Sequence, residues 1–170
     1  PSTNSELVPA SASTAGIEQK LISAVRPAPK PQAELKEGEP LPDEGNMPSL
    51  AGATQWFNSP PLTTSSLRGK VVLVDFWTYT CINCLRTLPY LEAWDASYRK
   101  QGLTIVGVHT PEFSFEHDAG NVANAIKSLG IHSPVAQDNN MSTWNAWCNQ
   151  SWPAEFLVDA QGTVPPAPSA

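Results

Sequence analysis

The sequence predicts an α/β fold in which helices are layered on a sheet that contains parallel strands. Residues 71–74 are a continuous apolar run, as expected of a strand covered on both faces. Apolar side chains then recur at helical spacing, at Leu88, Leu91, Trp94 and Tyr98. Residues 103–109 (LTIVGVH) are a second buried strand, and a strand–helix–strand unit of this length predicts a parallel, right-handed crossover.

The other segments continue this alternation of helix and strand. Residues 49–70 are expected to be a lead-in, in which Trp56 and Phe57 can pack and Pro60-Pro61 breaks regular structure. Arg68-Gly69 is expected to make the turn into the first strand. The cation and glycine of Lys100-Gln101-Gly102 end the first helix. Beyond it we predict a loop at 111–118, a helix at 121–130, an extended piece at 131–138, helical turns at 141–147 and a strand running into a turn at 153–162.

Composition divides the chain into a linker, one domain and a tail. Eight of the 17 prolines lie at or before Pro48, where Pro, Ser, Ala and Glu dominate. This composition predicts that residues 1–48 are a mostly disordered linker or tether, with a transient helix over 16–25. We predict a folded domain over 49–164 and a disordered tail over 165–170.

The net charge and the lack of long apolar runs exclude several kinds of partner. A formal charge of −6 opposes binding to nucleic acid or to an anionic membrane. No apolar run approaches the roughly 20 residues that span a bilayer. The chain begins without Met or a signal segment. We therefore expect that targeting information was removed or that the chain is an excised part of a larger protein.

Cys81 and Cys84 form a C-x-x-C pair at the start of the first helix, which we expect to begin at Cys84. The thiolate is the attacking species in disulfide exchange. The unpaired N–H groups and the positive dipole end of a helix favour negative charge. Cys81 is therefore the predicted nucleophile, and Cys84, one turn in and less exposed, the predicted resolving thiol. Two intervening residues allow a small ring, which favours a reversible disulfide.

Asp75 interrupts the apolar strand six residues before Cys81. A carboxylate is costly to bury without compensation. Asp75 is therefore either exposed at the end of the strand or functional, and the residue pattern leaves both alternatives open.

Four sequence blocks, in order along the chain, resemble a thioredoxin domain: DFWTYTCINC, GVHTPEFSFE, DNNMSTWNAW and SWPAEFLVDAQG. The chain is most similar to the extracytoplasmic DipZ/TlpA-like group of thiol–disulfide oxidoreductases, related to the cytochrome c biogenesis proteins, over about residues 50–164. The resemblance implies a thioredoxin-like fold with a central mixed sheet flanked by helices. Family members continue with another strand and a C-terminal helix, whereas this chain stops in PPAPSA. We therefore expect both elements to be lacking and the strand at 154–158 to be an exposed edge.

The resemblance also implies roles for individual residues. Cys81 matches the nucleophilic cysteine and Cys84 the resolving one. Asp75 matches a buried carboxylate that assists deprotonation of the second thiol, directly or through water. A desolvated carboxyl has a raised pKa and can exchange protons near neutral pH. Pro89 matches a helix-kinking proline.

A substrate-binding surface is implied beside the two cysteines. Pro153 matches the cis-proline that faces the disulfide, and Trp152 before it presents its backbone to a bound substrate. Trp77 and Tyr79 flank the cysteines and are predicted to shape docking, although packing alone would explain Trp77. The implied partners are protein thiols and disulfides, with an integral-membrane electron conduit as the source of reducing equivalents. The Pro-rich N-terminal stretch would be the tether to it, and we predict no cofactor and no resident metal.

The cysteines and the polar residues near them also allow interpretations other than a redox site. Cys81 and Cys84 could be half of a zinc site completed by Cys148 and a histidine (His109, His117 or His132), but Cys148 has no second ligand at short spacing. Cys148 is expected to be a buried apolar filler, with an intermolecular link or a third redox thiol as alternatives. His109 is expected to be a hydrogen-bonded structural residue. Glu112 and Glu116 are expected to be solvated loop charges.

The direction of the reaction is left open by the residues between the cysteines, Ile82-Asn83. An extracytoplasmic reductase is our first prediction, and an oxidant that donates its disulfide is the alternative within the same chemistry. A redox-inactive binding module of the same fold is the alternative from a different class.

Overall fold

The computed structural model describes residues 45–164. Its strands are β1 (Gln55–Phe57), β2 (Val71–Trp77), β3 (Leu103–His109), β4 (Val135–Gln137) and β5 (Ala154–Val158). Its α-helices are α1 (Thr64–Leu67), α2 (Ile82–Tyr98), α3 (Ala119–Ser128) and α4 (Ser142–Ala146), with short 3-10 turns at Arg99–Gln101 and Ser114–His117. The strands and helices predicted after residue 70 are confirmed.

The five strands form one mixed sheet in the order β1-β4-β3-β2-β5. β2 runs parallel to β3, from Val71 opposite Leu103 to Trp77 opposite His109, which confirms the predicted crossover. β4 is parallel to β3, whereas β1 and β5 are antiparallel to their neighbours. Within residues 45–164 no strand lies beyond β5, so β5 is an edge of the described sheet.

The lead-in over 49–70 contains a short strand and a helical turn that the sequence pattern did not predict. β1 pairs with β4, with Trp56 opposite Ala136. A strand of three residues is too short to show a period-two pattern. Helix α1 is a single turn whose start is fixed by a local cap, since the Thr63 side chain accepts from the Ser66 N–H.

β2 organises the core because its side chains alternate between the two faces of the sheet. Val72, Val74 and Phe76 pack on one face with Trp144 and Trp147. Leu73 and Trp77 pack on the other face, in a cluster that also contains buried side chains of α2 and α3. Asp75 shares this second face, so its carboxyl faces the helix that carries the cysteines.

The domain includes residues before the predicted boundary after residue 48. Asn46 pairs with Thr163, and the Met47 N–H donates to the Gly162 carbonyl at 2.8 Å. The Met47 side chain is buried in the core. The predicted helix at 16–25 and the predicted tail at 165–170 lie outside the described residues. None of the helices within 45–164 combines the length and apolar character needed to span a bilayer.

Candidate active site

The C-x-x-C pair lies where the chain passes from β2 into α2. The helix begins at Ile82 rather than at Cys84, and Cys81 is its N-cap. Cys81 Sγ accepts a hydrogen bond from the backbone N–H of Cys84 at 3.3 Å. Cys81 is partly exposed and Cys84 is buried, and both are free thiols. Of the two sulfurs, that of Cys81 is therefore the one a partner's disulfide can reach.

The surroundings of Cys84 oppose its ionisation. Burial raises the pKa of the Cys84 thiol, and its interaction with Cys81 adds to the increase. A thiol in this position stays protonated near neutral pH until a neighbouring base removes its proton.

Asp75 is the buried carboxyl whose charge interacts with the Cys84 thiol. It is 2% exposed in the interior of β2, so the alternative that it lies exposed at the strand end is wrong. Burial raises the pKa of Asp75 to about 7, with a further contribution from the charge of Glu155. Its Oδ1 atom has no hydrogen-bond partner. The side chain lines a cavity of about 10 Å³ between β2 and α2, roughly the volume of one water molecule.

Trp152 and Pro153 lie in the segment that leads into β5. The peptide bond between them is cis, as the resemblance implies. The indole Nε1 of Trp152 donates to the Thr110 carbonyl at 3.1 Å, and its ring lies 4.2 Å from that of Trp144. Both Trp152 and Pro153 are half-buried, so each keeps some exposed surface.

The two aromatic residues predicted to shape docking lie in different environments. Trp77 is 1% exposed and packs in the core, edge-on to His109, so its side chain is absent from the docking surface. Tyr79 is half-buried and stacks on His109, with ring centroids 5.5 Å apart. Its hydroxyl donates to the Phe115 carbonyl at 3.1 Å. Tyr79 therefore retains a place at the edge of the site, and Trp77 does not.

His109 has the structural surroundings expected of it. The ring is fully buried, and Nε2 lies 3.3 Å from the Thr78 hydroxyl. Burial lowers the pKa of His109 to about 4, although the nearby Glu116 carboxylate acts in the opposite direction. The imidazole is therefore neutral at pH 7.

Glu116 is fully buried, and the expectation of a solvated loop charge is wrong for it. Its Oε1 accepts from the Thr80 hydroxyl at 2.5 Å, and its Oε2 accepts from the N–H groups of Glu112 and Phe113 at 2.6 and 2.9 Å. Burial alone would raise the pKa of Glu116, but these hydrogen bonds and one from Thr78 outweigh it and lower the pKa. The carboxylate thus joins the turn before Cys81 to the loop over 111–118.

No sequence signal distinguished Glu116 from Glu112. Both lie in the same polar loop, and the Glu112 side chain is exposed, as expected. The ligands of the Glu116 carboxylate come from two loops that only the folded sheet brings together. Thr80, its hydroxyl partner, was missed for the same reason.

Cys148 is exposed, so the expectation of a buried filler is wrong. It follows α4 in the left-handed backbone region, with φ of 51°, and its N–H donates to the Asn145 carbonyl. This turn directs the side chain away from the core, while Trp147 before it is buried. Among residues 45–164 no group of three or more His, Cys, Asp or Glu side chains is arranged to hold a metal.

The fold and the site define the class of this domain. A thioredoxin-like α/β domain whose helix begins at a C-x-x-C pair is a thiol–disulfide oxidoreductase domain. The chain belongs to the AhpC/TSA family, whose sequence profile matches residues 46–166.

Individual relatives agree with this class. Protein DipZ of Mycobacterium tuberculosis (strain CDC 1551 / Oshkosh) is 52% identical over 123 residues, which are 71% of this chain and 18% of DipZ. Thiol-disulfide oxidoreductase YkuV of Bacillus subtilis (strain 168) is 27% identical over 69% of this chain and 79% of YkuV. The solution structure of a thioredoxin-like protein in the oxidized form has a TM-score of 0.65 at 28% identity, covering 70% of this chain and 80% of that one.

The buried carboxyl of Asp75 should make stability depend on pH. Its pKa is raised from 3.8 to about 7, so the folded state opposes ionisation. The destabilisation is absent below pH 4, grows between pH 4 and 7 and is complete above 7, where at about 1.4 kcal/mol per pKa unit it is at most on the order of 4 kcal/mol. Asp75→Asn should therefore be more stable than the wild type at pH 8 and nearly equal to it at pH 4, as measured by urea unfolding. An equal difference at both values would contradict this assignment.

The hydrogen bonds of Glu116 should make it a large contributor to stability. Glu116→Ala leaves the Thr80 hydroxyl and two N–H groups without their acceptor, and we expect a loss of about 3–5 kcal/mol in the free energy of unfolding. Because the pKa of Glu116 is lowered, its contribution is present above about pH 4.3 and declines as the pH falls through the folded value. Glu112→Gln, in the same loop but exposed, is the matched control and should change stability by less than about 0.5 kcal/mol.

Proposed function

We propose that this domain reduces disulfides of protein substrates outside the cytoplasm, with Cys81 as nucleophile, Cys84 as resolving thiol and Asp75 as the acceptor of the Cys84 proton. The observation that carries the proposal is the arrangement of these three groups. An accessible sulfur caps α2, a buried thiol lies one turn along, and a buried carboxyl with a pKa of about 7 faces the same helix.

The proposed reaction has two exchange steps. The Cys81 thiolate attacks one sulfur of the substrate disulfide, forms a mixed disulfide and releases the other substrate sulfur as a thiolate, which takes a proton from solvent. Cys84 then gives its proton to Asp75 and attacks Cys81 Sγ. This step forms the Cys81–Cys84 disulfide and releases the second substrate thiolate. The substrate gains two electrons and the cysteine pair loses two.

The remaining residues of the site support substrate docking in this proposal. Tyr79, Trp152 and Pro153 are half-buried, and Tyr79 and Trp152 pack against the cluster that contains Cys84. The Trp152 ring is anchored by its hydrogen bond to the Thr110 carbonyl. A substrate chain would meet its backbone and the exposed part of the proline.

The cellular setting of the proposal comes from the likeness to DipZ. The matching region is 18% of DipZ. From the resemblance to the DipZ/TlpA-like group, we propose that an integral-membrane electron conduit returns electrons to the Cys81–Cys84 disulfide. The resemblance to an extracytoplasmic group supports a location outside the cytoplasm. Protein thiols and disulfides are the proposed partners.

Turnover of an insulin-type disulfide substrate tests the chemistry. Cys81→Ser should reduce turnover to the background rate, because the attacking sulfur is lost. Cys84→Ser should accumulate a mixed disulfide, because the resolving sulfur is lost. Cys148→Ser is the matched control, since it removes an exposed thiol outside the pair, and it should leave turnover unchanged. Folded wild-type protein without turnover would favour the redox-inactive binding module instead.

The reduction potential tests the direction of the reaction. Strong oxidants of this fold stabilise their reduced form, which moves their potential to the oxidising end, whereas a reductase has a potential at the reducing end. We expect a potential nearer to about −270 mV than to about −120 mV when the protein is equilibrated with glutathione or dithiothreitol buffers. A value at the oxidising end would identify a disulfide donor.

A further inference from the structure

A second carboxylate lies directly across the strand pair from the proposed base. In the antiparallel pairing of β2 with β5, Asp75 is opposite Glu155. Directly opposed residues of an antiparallel pair point to the same face of the sheet, with Cβ atoms roughly 4.5–5.5 Å apart. Asp75 is buried under α2, whereas Glu155 lies on the edge strand and is exposed. The two carboxyls are therefore neighbours in different environments.

The other elements packed around Asp75 provide little to balance its charge. Its partner on β3 is Gly107, where an added Cβ would lie 2.9 Å from Trp77 Nε1. From α2 it is faced by the Cys84 thiol, whose pKa is itself raised, and Glu92 lines the same cavity. Ser133, before β4, is neutral. The described residues that line this cavity include no Lys or Arg.

We propose that Glu155 tunes Asp75: its surface carboxylate helps to hold the proton on the buried carboxyl and so sets the pH at which Cys84 is activated. This inference rests on the proposed function, in which Asp75 accepts the Cys84 proton. Glu155 touches neither substrate nor sulfur in it and acts only through Asp75. Like charges at this separation disfavour joint ionisation, and the charge of Glu155 acts on Asp75 in that direction.

The tuning has two consequences for catalysis. A base is most effective when its pKa is close to the working pH, because it is then both ionised and strongly basic. Without the Glu155 charge, Asp75 would ionise at lower pH but be a weaker base at pH 7–8. Since Glu155 is exposed, dissolved salt should screen its effect, whereas the contribution of burial should persist.

Titration of the Asp75 carboxyl carbon by NMR in the reduced protein tests the interaction without any substrate. Glu155→Gln should lower the Asp75 midpoint by about half a unit or more, as expected for a Coulomb interaction near the surface, and Glu155→Lys should lower it further. Raising the salt concentration should lower the midpoint in the wild type and change it less in Glu155→Gln. Glu112→Gln is the matched control, since it removes an exposed carboxylate from another loop and should leave the midpoint unchanged.

The rate at which Cys84 resolves a Cys81 mixed disulfide gives the second measurement. The midpoint of its pH profile should fall in Glu155→Gln by the same amount as the NMR midpoint, and the rate above the midpoint should be lower than in the wild type. A change in folding alone would alter the amount of active protein and leave the midpoint in place.

The outcomes separate this inference from the proposed function. An NMR midpoint that is the same in the wild type, Glu155→Gln and Glu155→Lys overturns the tuning. A shifted NMR midpoint with an unshifted pH–rate profile also overturns it, because Asp75 then does not control the resolving step. A shifted midpoint in a protein that reduces no disulfide would refute the proposed function while leaving the interaction between the carboxyls established.

Discussion

The site depends on the burial of one carboxyl group inside an apolar sheet. Asp75 occupies a β2 position that faces the α2 layer, between Leu73 and Trp77, where an aliphatic side chain would be more stable. Burial raises the pKa of this carboxyl to about 7, so it can both accept and release a proton near neutral pH. Cys84, on α2, is buried against the same face of the sheet, which makes its thiol hard to ionise. Removal from water thus raises the pKa of both groups.

The turn before Cys81 is held by a second buried carboxyl group, that of Glu116, which accepts a hydrogen bond from Thr80. Glu116 is buried as well, but its carboxylate is ionised because hydroxyl and N–H donors surround it. Two buried acids, Asp75 before the cysteines in the chain and Glu116 bonded to the turn before Cys81, therefore have opposite protonation behaviour. The difference lies in their hydrogen bonds, since Asp75 has an oxygen without a partner and Glu116 has donors on both oxygens. One is suited to proton exchange and the other to fixing the loop geometry.

Sequence patterns succeeded where the signal is local. The apolar runs predict β2 and β3, and a glycine marks the end of α3. In each case the signal comes from residues adjacent in the sequence. Patterns failed where the partner is distant. The three residues of β1 become a strand only because β4 is available to pair with them. Trp77 was placed on the docking surface because it is close to Cys81 in sequence, but strand alternation directs it into the core. Cys148 is exposed because a left-handed backbone position turns it outward, which composition cannot show.

The sequence by itself determined the class of chemistry. Two thiols at this spacing, at the start of an amphipathic helix and after a buried strand, specify reversible disulfide exchange through covalent geometry and the helix terminus. Only the tertiary structure decided the protonation behaviour of the acidic groups near the cysteines. Contacts between segments distant in the chain bury Asp75, place Glu155 opposite it on the neighbouring edge strand and surround Glu116 with donors. Desolvation and charge proximity are properties of the packed molecule, and no pattern of neighbouring residues encodes them.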